Sequence, residues 1–286
     1  MGRDFCERGV SRMRIVTLME NTAVSDEYVC SHGLSLYIET RGHKILFDMG
    51  QDGGFLKNAQ KLGVDIGSVD AAILSHGHYD HGGGISAFLE ANTQAPIHIQ
   101  KKALGEFYAH DPDGSNRYIG LSPEWKENPR VIAHTGDYKL DAGIQIFAGV
   151  TGRECYSPAN DRLFASMNGH HIPDLFMHEQ NLLLKEGSRI ILIAGCAHNG
   201  MVNILKKAET FAPSGIDYAI GGMHLMKAYS DSEKQKMFCT GMAKKLKEHS
   251  CQYYTCHCTG TESYEMLRRE MGTQIHYLSA GSILEI

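Results

Sequence analysis

Four side chains able to hold a metal ion fall within six residues of this chain: His76, His78, Asp80 and His81, in the run Ser75-His76-Gly77-His78-Tyr79-Asp80-His81-Gly82-Gly83-Gly84. The largely apolar residues 69–74 before it read as a short buried strand, and residues 85–90 after it read as the first turns of a helix. The donors therefore sit on a strand-to-helix turn. In extended backbone His76 and His78 point to the same side, and Asp80 and His81 follow once the chain bends. Two pairs of donors result, enough to begin two metal sites. Imidazole with carboxylate is the donor set expected for zinc, and iron or manganese also accept it.

Other donors stand at the ends of other apolar runs. Residues 189–194 lead into Gly195-Cys196-Ala197-His198, residues 217–220 into Gly221-Gly222-Met223-His224, and residues 252–256 into His257. In α/β architectures, sites gather outside the carboxyl ends of strands, so four strand ends converge on one place. His198 lies two residues beyond a strand end, as His78 does, and completes a first set with His76 and His78. His257 then joins Asp80 and His81 in a second. Three protein ligands per ion leave an open position, as a catalytic site requires.

The H-x-H-x-D-H run after a strand resembles the signature of the metallo-β-lactamase superfamily, and the likeness covers most of the chain. Within it, His32-Gly33-Leu34-Ser35, His178-Glu179-Gln180, Gly195-Cys196-Ala197-His198, Gly221-Gly222-Met223-His224-Leu225 and His257-Cys258-Thr259-Gly260 resemble the branch that includes the archaeal dihydropterin ribofuranosylaminobenzene phosphate synthase. The resemblance implies an α/β fold, a four-layer αββα sandwich, with a one- or two-metal hydrolytic centre. It implies that Asp48, at the end of a strand over residues 44–48, braces the metal loop by hydrogen bonds. Cys196 departs from the pattern, standing where most members carry an Asp that touches both metals. A bridging thiolate and a packed, uncharged thiol both remain open. His32, with Tyr28 in the same loop over residues 20–32, is a candidate substrate contact. The branch favours substrate binding for His224, and His178 reads as a structural group beside the site.

Two divalent ions with one or two anionic ligands leave the centre cationic, able to hold hydroxide and an anionic substrate group. A bound metal lowers the pKa of water from about 15.7 toward about 7, and Asp80 is placed to orient that metal-bound hydroxide. The expected function is hydrolysis or hydrolase-like group transfer on a small anionic, phosphorylated substrate. Arg153, Arg162, His170 and His171 in a turn-rich stretch, and Lys227 beyond His224, are the basic residues that would favour such a substrate. A lactonase-type hydrolase and a diiron redox protein of the same fold are the alternatives; redox members place Glu where this chain has His78 and carry a flavin module.

Composition sets the frame for these readings. The chain of 286 residues is 42% hydrophobic with a formal net charge of -5, enough for a sizeable core and no basic footprint for nucleic acid. The apolar runs are far shorter than the roughly 20 residues a membrane span needs. Eight cysteines in no even framework, several beside histidines, point to reduced thiols in a cytoplasm. One domain over residues 1–286 is expected, with a polar lead-in over 1–12 and loop excursions over the active face at 105–128 and 152–173. His98, in an alternating strand, reads as structural. The oligomeric state stays open.

Overall fold

Side-chain alternation builds the layers. In β1 (Arg14–Met19), Ile15 joins one hydrophobic cluster and Val16 another, as the period of two in a strand requires. A computed structural model describes residues 13–286; the lead-in expected over residues 1–12 lies outside them. The chain continues through β2 (Ser35–Thr40), β3 (His43–Phe47), α1 (Gly54–Lys61), β4 (Ala71–Ile73), a four-residue helix α2 (Tyr79–Gly82), α3 (Ile85–Ala91) and β5 (Ile97–Gln100). Next come β6 (Phe107–His110), β7 (Asn116–Tyr118), β8 (Val131–His134), β9 (Tyr138–Asp141), β10 (Ile144–Ala148), β11 (Leu163–Met167) and β12 (His170–Pro173). The remainder comprises β13 (Gln180–Glu186), β14 (Arg189–Ile193), α4 (Met201–Phe211), β15 (Tyr218–Gly221), α5 (Ser232–Leu246), β16 (Gln252–Thr255), α6 (Thr261–Met271), β17 (Ile275–Tyr277) and β18 (Ile283–Glu285).

Two seven-stranded sheets, ordered β18-β1-β2-β3-β4-β5-β8 and β17-β16-β15-β14-β13-β10-β9, have matching plans. Each is antiparallel at one end and parallel at the other, where strand-helix units replace hairpins. Their facing surfaces share Leu36, Ile38, Ile45, Phe47 and Ile73 from one sheet and Ile146, Leu182, Leu184, Ile191 and Ile193 from the other. The alternate residues Tyr37 and Leu46 face α1 and α3 through Phe55, Ala59, Ile85 and Phe88. Leu183 and Leu192 face α4, α5 and α6 through Val202, Leu205, Met242 and Leu267. Helix, sheet, sheet, helix is the four-layer αββα order expected from the sequence. Truncating any one of these buried aliphatics costs roughly 2–5 kcal/mol. Among the described residues no helix is long and apolar enough to cross a membrane.

The two stretches expected as loop excursions differ from that expectation: they contain strands. β12-β11-β6-β7 form a third, antiparallel sheet. These strands are short: β6 alternates over only four residues and β7 is exposed along its whole length, too little to mark them in the sequence.

His98 is structural, as expected. Its Nδ1 lies 3.0 Å from His134 Nε2, and the His134 ring stacks on Tyr138 at 3.4 Å, joining the open edges of the two large sheets. Burial lowers His98 to about 4 and lowers His134 in the same direction. Both are therefore neutral in the fold at pH 7. As pH falls below about 6.5 the unfolded chain binds these protons first, so stability drops until about pH 4, where folded His98 also protonates. In urea titrations His98→Gln is expected to flatten this slope by at most about 1.4 kcal/mol per pH unit. A variant slope equal to the native one between those pH values would contradict it.

Candidate metal centre

The loop after β4 is pinned from both sides. Glycine is required at Gly83 and Gly84, where an added Cβ would lie 2.2 Å from Gln51 O and 2.1 Å from Met49 O. This close approach brings the end of β3 against α2. There Asp48, buried and at φ 59, accepts three hydrogen bonds. They come from Ser75 N–H at 2.7 Å, Ser75 Oγ–H at 2.7 Å and His81 Nδ1–H at 2.6 Å. Asp and Asn are the non-glycine residues that best tolerate a left-handed backbone. The bracing position implied for Asp48 is where the structure puts it.

Four histidines have one ring nitrogen held by an oxygen and the other aimed inward. His81 Nδ1 is held by Asp48, His76 Nδ1 lies 2.8 Å from Ser75 Oγ, His198 Nδ1 lies 2.9 Å from Asn160 Oδ1, and His257 Nδ1 lies 2.8 Å from Asn21 Oδ1. Ser75 already donates its hydroxyl proton to Asp48, so it accepts from His76. Asn160 donates its amide to His198 O, so its carbonyl oxygen accepts from the ring. Each Nδ1 thus carries the proton and each Nε2 presents a lone pair, the tautomer a metal ligand needs.

The inward atoms form two groups. One donor atom each from His76, His78 and His198 lie within 4.8 Å of one another, as do those from Asp80, His81, Cys196 and His257. His76 Nε2 is 3.0 Å from His78 Nδ1; His81 Nε2 is 3.2 Å from both His257 Nε2 and Cys196 Sγ; Asp80 Oδ2 is 3.3 Å from His257 Nε2. Buried His198 Nε2 and His78 Nε2 have no hydrogen-bond partner. Burial first, then the adjacent imidazoles, holds His76 and His198 well below the ordinary histidine value, and burial takes His78 to about 3. Burial would raise Asp80, but His81, and then the hydrogen bonds of His257 and His32, keep its carboxyl well below the usual range. The imidazoles of His76, His78 and His198, held neutral by burial, and the ionised Asp80 carboxylate are the donors a divalent cation takes, while Asp48 and Asp80 favour the charged form of His81 against its burial. The residues present fit divalent metal ions.

Cys196 lies in the second group rather than apart from it. Burial and then Cys258 push its thiol well above its ordinary value, so its thiolate needs a cation as partner. If Cys196 ligates, both Cys196→Ser and Cys196→Ala lower the metal content per chain. Native stoichiometry in Cys196→Ala would assign it a packing role.

The other expected site residues are placed as follows. His32 Nε2 lies 3.2 Å from Asp80 Oδ2 at the mouth of the centre. His178 takes a structural position: its Nδ1 accepts from Gly77 N–H at 3.0 Å and its Nε2–H donates to Asp174 Oδ2 at 2.9 Å. His224, at φ 48, has a buried Nδ1 without a partner and its ring centroid 4.2 Å from that of His198. Tyr28 packs on Gly281 instead of facing the centre.

A cavity of about 370 Å³ opens over both groups, lined in part by His32, His78, Asp80, Cys196, His198 and His224. Its opposite wall is the third sheet and the 3-10 turn Pro158–Arg162, which contribute His110, Arg117, Ile119, Arg162 and Leu163. Of the basic residues singled out in the sequence, only Arg162 lines it. Arg153 donates to Asn199 Oδ1 and lies 4.6 Å over the Tyr156 ring, Lys227 is exposed beside the cavity-lining Met226, and His171 pairs with His110 on the insert sheet. Arg117, Asn160, Asn21 and Cys258 are site residues the sequence reading missed. So is buried Glu20, whose Oε1 accepts from His257 N–H at 2.6 Å.

Residues 29–154 match the model of a family described as the metallo-beta-lactamase superfamily. The chain is 30% identical over 260 residues to the uncharacterized protein MJ0448 of Methanocaldococcus jannaschii, covering 88% of this chain and 93% of that one. It belongs to the metallo-beta-lactamase superfamily. Another relative, from the same organism, is a 7,8-dihydropterin-6-methyl-4-(beta-D-ribofuranosyl)-aminobenzene-5'-phosphate synthase, 28% identical with 96% and 97% of the two chains covered. Tm1679, described as a metal-dependent hydrolase of the beta-lactamase superfamily, superposes with a TM-score of 0.78 at 28% identity, covering 96% of this chain and 99% of that one. The chain thus has the superfamily's metal-dependent hydrolase fold, which typically binds divalent metals, and its candidate metal-binding residues form the two clusters above together with two overlapping groups, Cys196-His198-His224 and His78-Asp174-His178.

Proposed function

We propose that this chain is a metal-dependent hydrolase, or a group transferase of the same chemistry, acting on a small anionic, phosphorylated substrate. The observation that carries the reading is the set of four Nε2 lone pairs gathered with ionised Asp80, beside a cavity that Asp80, His198 and two arginines line. His76, His78 and His198 would hold one ion, and Asp80, His81 and His257, with Cys196, the other. Zinc suits these donors best, with iron and manganese as substitutes. Divalent ions there supply Lewis acidity and lower the pKa of water.

The chain's own groups do the rest. Asp80 Oδ2 faces the cavity and can accept a proton from attacking water, while His32 Nε2, 3.2 Å away, keeps that oxygen oriented. The unpartnered His224 Nδ1 offers a hydrogen bond to substrate. The insert sheet covers the floor and limits bulk water, which strengthens each charge interaction beneath it. A phosphorylated substrate is supported by the arginine-bearing wall and by the relative whose name is that of a ribofuranosyl phosphate synthase. The net charge of -5 favours a small molecule over nucleic acid. The proposed compartment is the cytoplasm, where Cys196 stays reduced. The test is turnover of bis(p-nitrophenyl) phosphate by metal-loaded protein. Slow, metal-dependent release of p-nitrophenol is expected. Activity on lactones or β-lactams with none on any phosphate ester overturns the substrate class.

A further inference from the structure

Arg117 comes from β7 of the insert sheet, and Arg162 ends the 3-10 turn whose Asn160 orients His198. Both line the cavity wall. Arg117 donates Nε–H to Asp111 Oδ2 at 3.2 Å and has the Tyr79 hydroxyl beside it, which leaves part of its guanidinium fork to face the cavity. Arg162 makes neither a side-chain hydrogen bond nor an ion pair among them. Its turn is firmly held, since Ser157 Oγ–H donates to His224 O and Asn160 bonds both the ring and the carbonyl of His198. Apolar side chains of Ala109, Ile119, Ala159, Leu163 and Met226 share the cavity lining with the two arginines.

A guanidinium presents forked donors matched to phosphate or carboxylate. One fork is paired with Asp111 and one is free, and both line, with several apolar side chains, the cavity above a floor that would itself hold the reacting anion. Resting on the hydrolase reading above, we infer that Arg117 and Arg162 form a second anion receptor. The substrate then carries, besides the group that reacts, a separate phosphate or carboxylate joined to it by a compact apolar or aryl body. Asp111 acts as a placeholder: it holds the Arg117 fork until the substrate anion replaces it. The insert sheet thereby sets specificity, and the metal-binding floor sets the chemistry.

The experiment compares two ligands by calorimetry with the full, metal-loaded chain: phenyl phosphate, with one anionic group, and 4-carboxyphenyl phosphate, with two. The native chain is expected to bind the second at least about 10-fold more tightly, a difference of about 1.4 kcal/mol. In Arg117→Gln/Arg162→Gln the preference disappears at unchanged metal content. In Asp111→Asn, where the placeholder charge is gone, the preference grows by a few-fold. Equal affinities in the native chain, no binding of either ligand, a preference that survives the double variant, or a loss equal for both ligands each overturns the receptor. The last outcome would assign the arginines to the reacting group itself. Failure of the hydrolase reading is seen separately, as binding with the stated preference but without turnover of any phosphate ester.

Discussion

Asp80→Ala is expected to abolish phosphodiester turnover, with a fall on the order of 10²–10⁴ even where metal is supplied in excess. The size follows from two losses at one atom. Asp80 is the only carboxylate in its cluster, and its Oδ2 lies within 3.3 Å of His257 Nε2 and 3.2 Å of His32 Nε2, so its removal weakens the second ion's site. The same residue lines the cavity, and no other carboxylate of the metal groups does. Steady-state rates and metal content measured together separate the losses: low occupancy with a rate restored by excess metal assigns Asp80 to binding alone, and native rates at native occupancy would remove it from the site.

Asp48→Asn is expected to weaken metal binding by about 10–100-fold while leaving the backbone in place. Asn tolerates the φ of 59 that Asp48 adopts, so the turn survives. The amide retains one acceptor oxygen, yet Asp48 receives three hydrogen bonds, and a donor now faces a donor. His81 is then free to carry its proton on Nε2, which withdraws a lone pair from the second cluster. Through Ser75 the same change reaches His76 in the first. A buried donor left unmatched costs about 1–3 kcal/mol, so a lower melting temperature accompanies the loss. Chelator competition checks it: native affinity at both sites would contradict the bracing role.

The central motif was legible because His76, His78, Asp80 and His81 are contiguous and follow a strand. The αββα order came from the family resemblance, while single strands were legible because Ile15, Leu36, Ile38, Ile45 and Phe47 alternate as inward-facing residues do. What holds the ligands in their tautomers was not. Asn160 meets His198 across 38 residues and Asn21 meets His257 across 236, and neither pairing leaves a local pattern. The insert sheet was hidden for a different reason: β6 alternates over only four residues and β7 is wholly exposed, too little pattern to mark strands or to single out Arg117. Arg153 and Arg162 look alike in sequence. Stacking on Tyr156 takes the first out of the cavity, and the turn held by Asn160 puts the second into it.

The decisive measurement is the metal content of protein purified without chelator, taken with its visible absorption spectrum and followed by dialysis and reconstitution with zinc, manganese or iron. Up to two ions per chain are expected, zinc foremost and colourless, with loss of one ion in His198→Ala and of the other in His257→Ala. A strong visible band from a thiolate-iron or oxo-diiron centre would favour redox chemistry in the same fold. Protein that holds no metal and takes up none of the three would contradict the metal centre altogether.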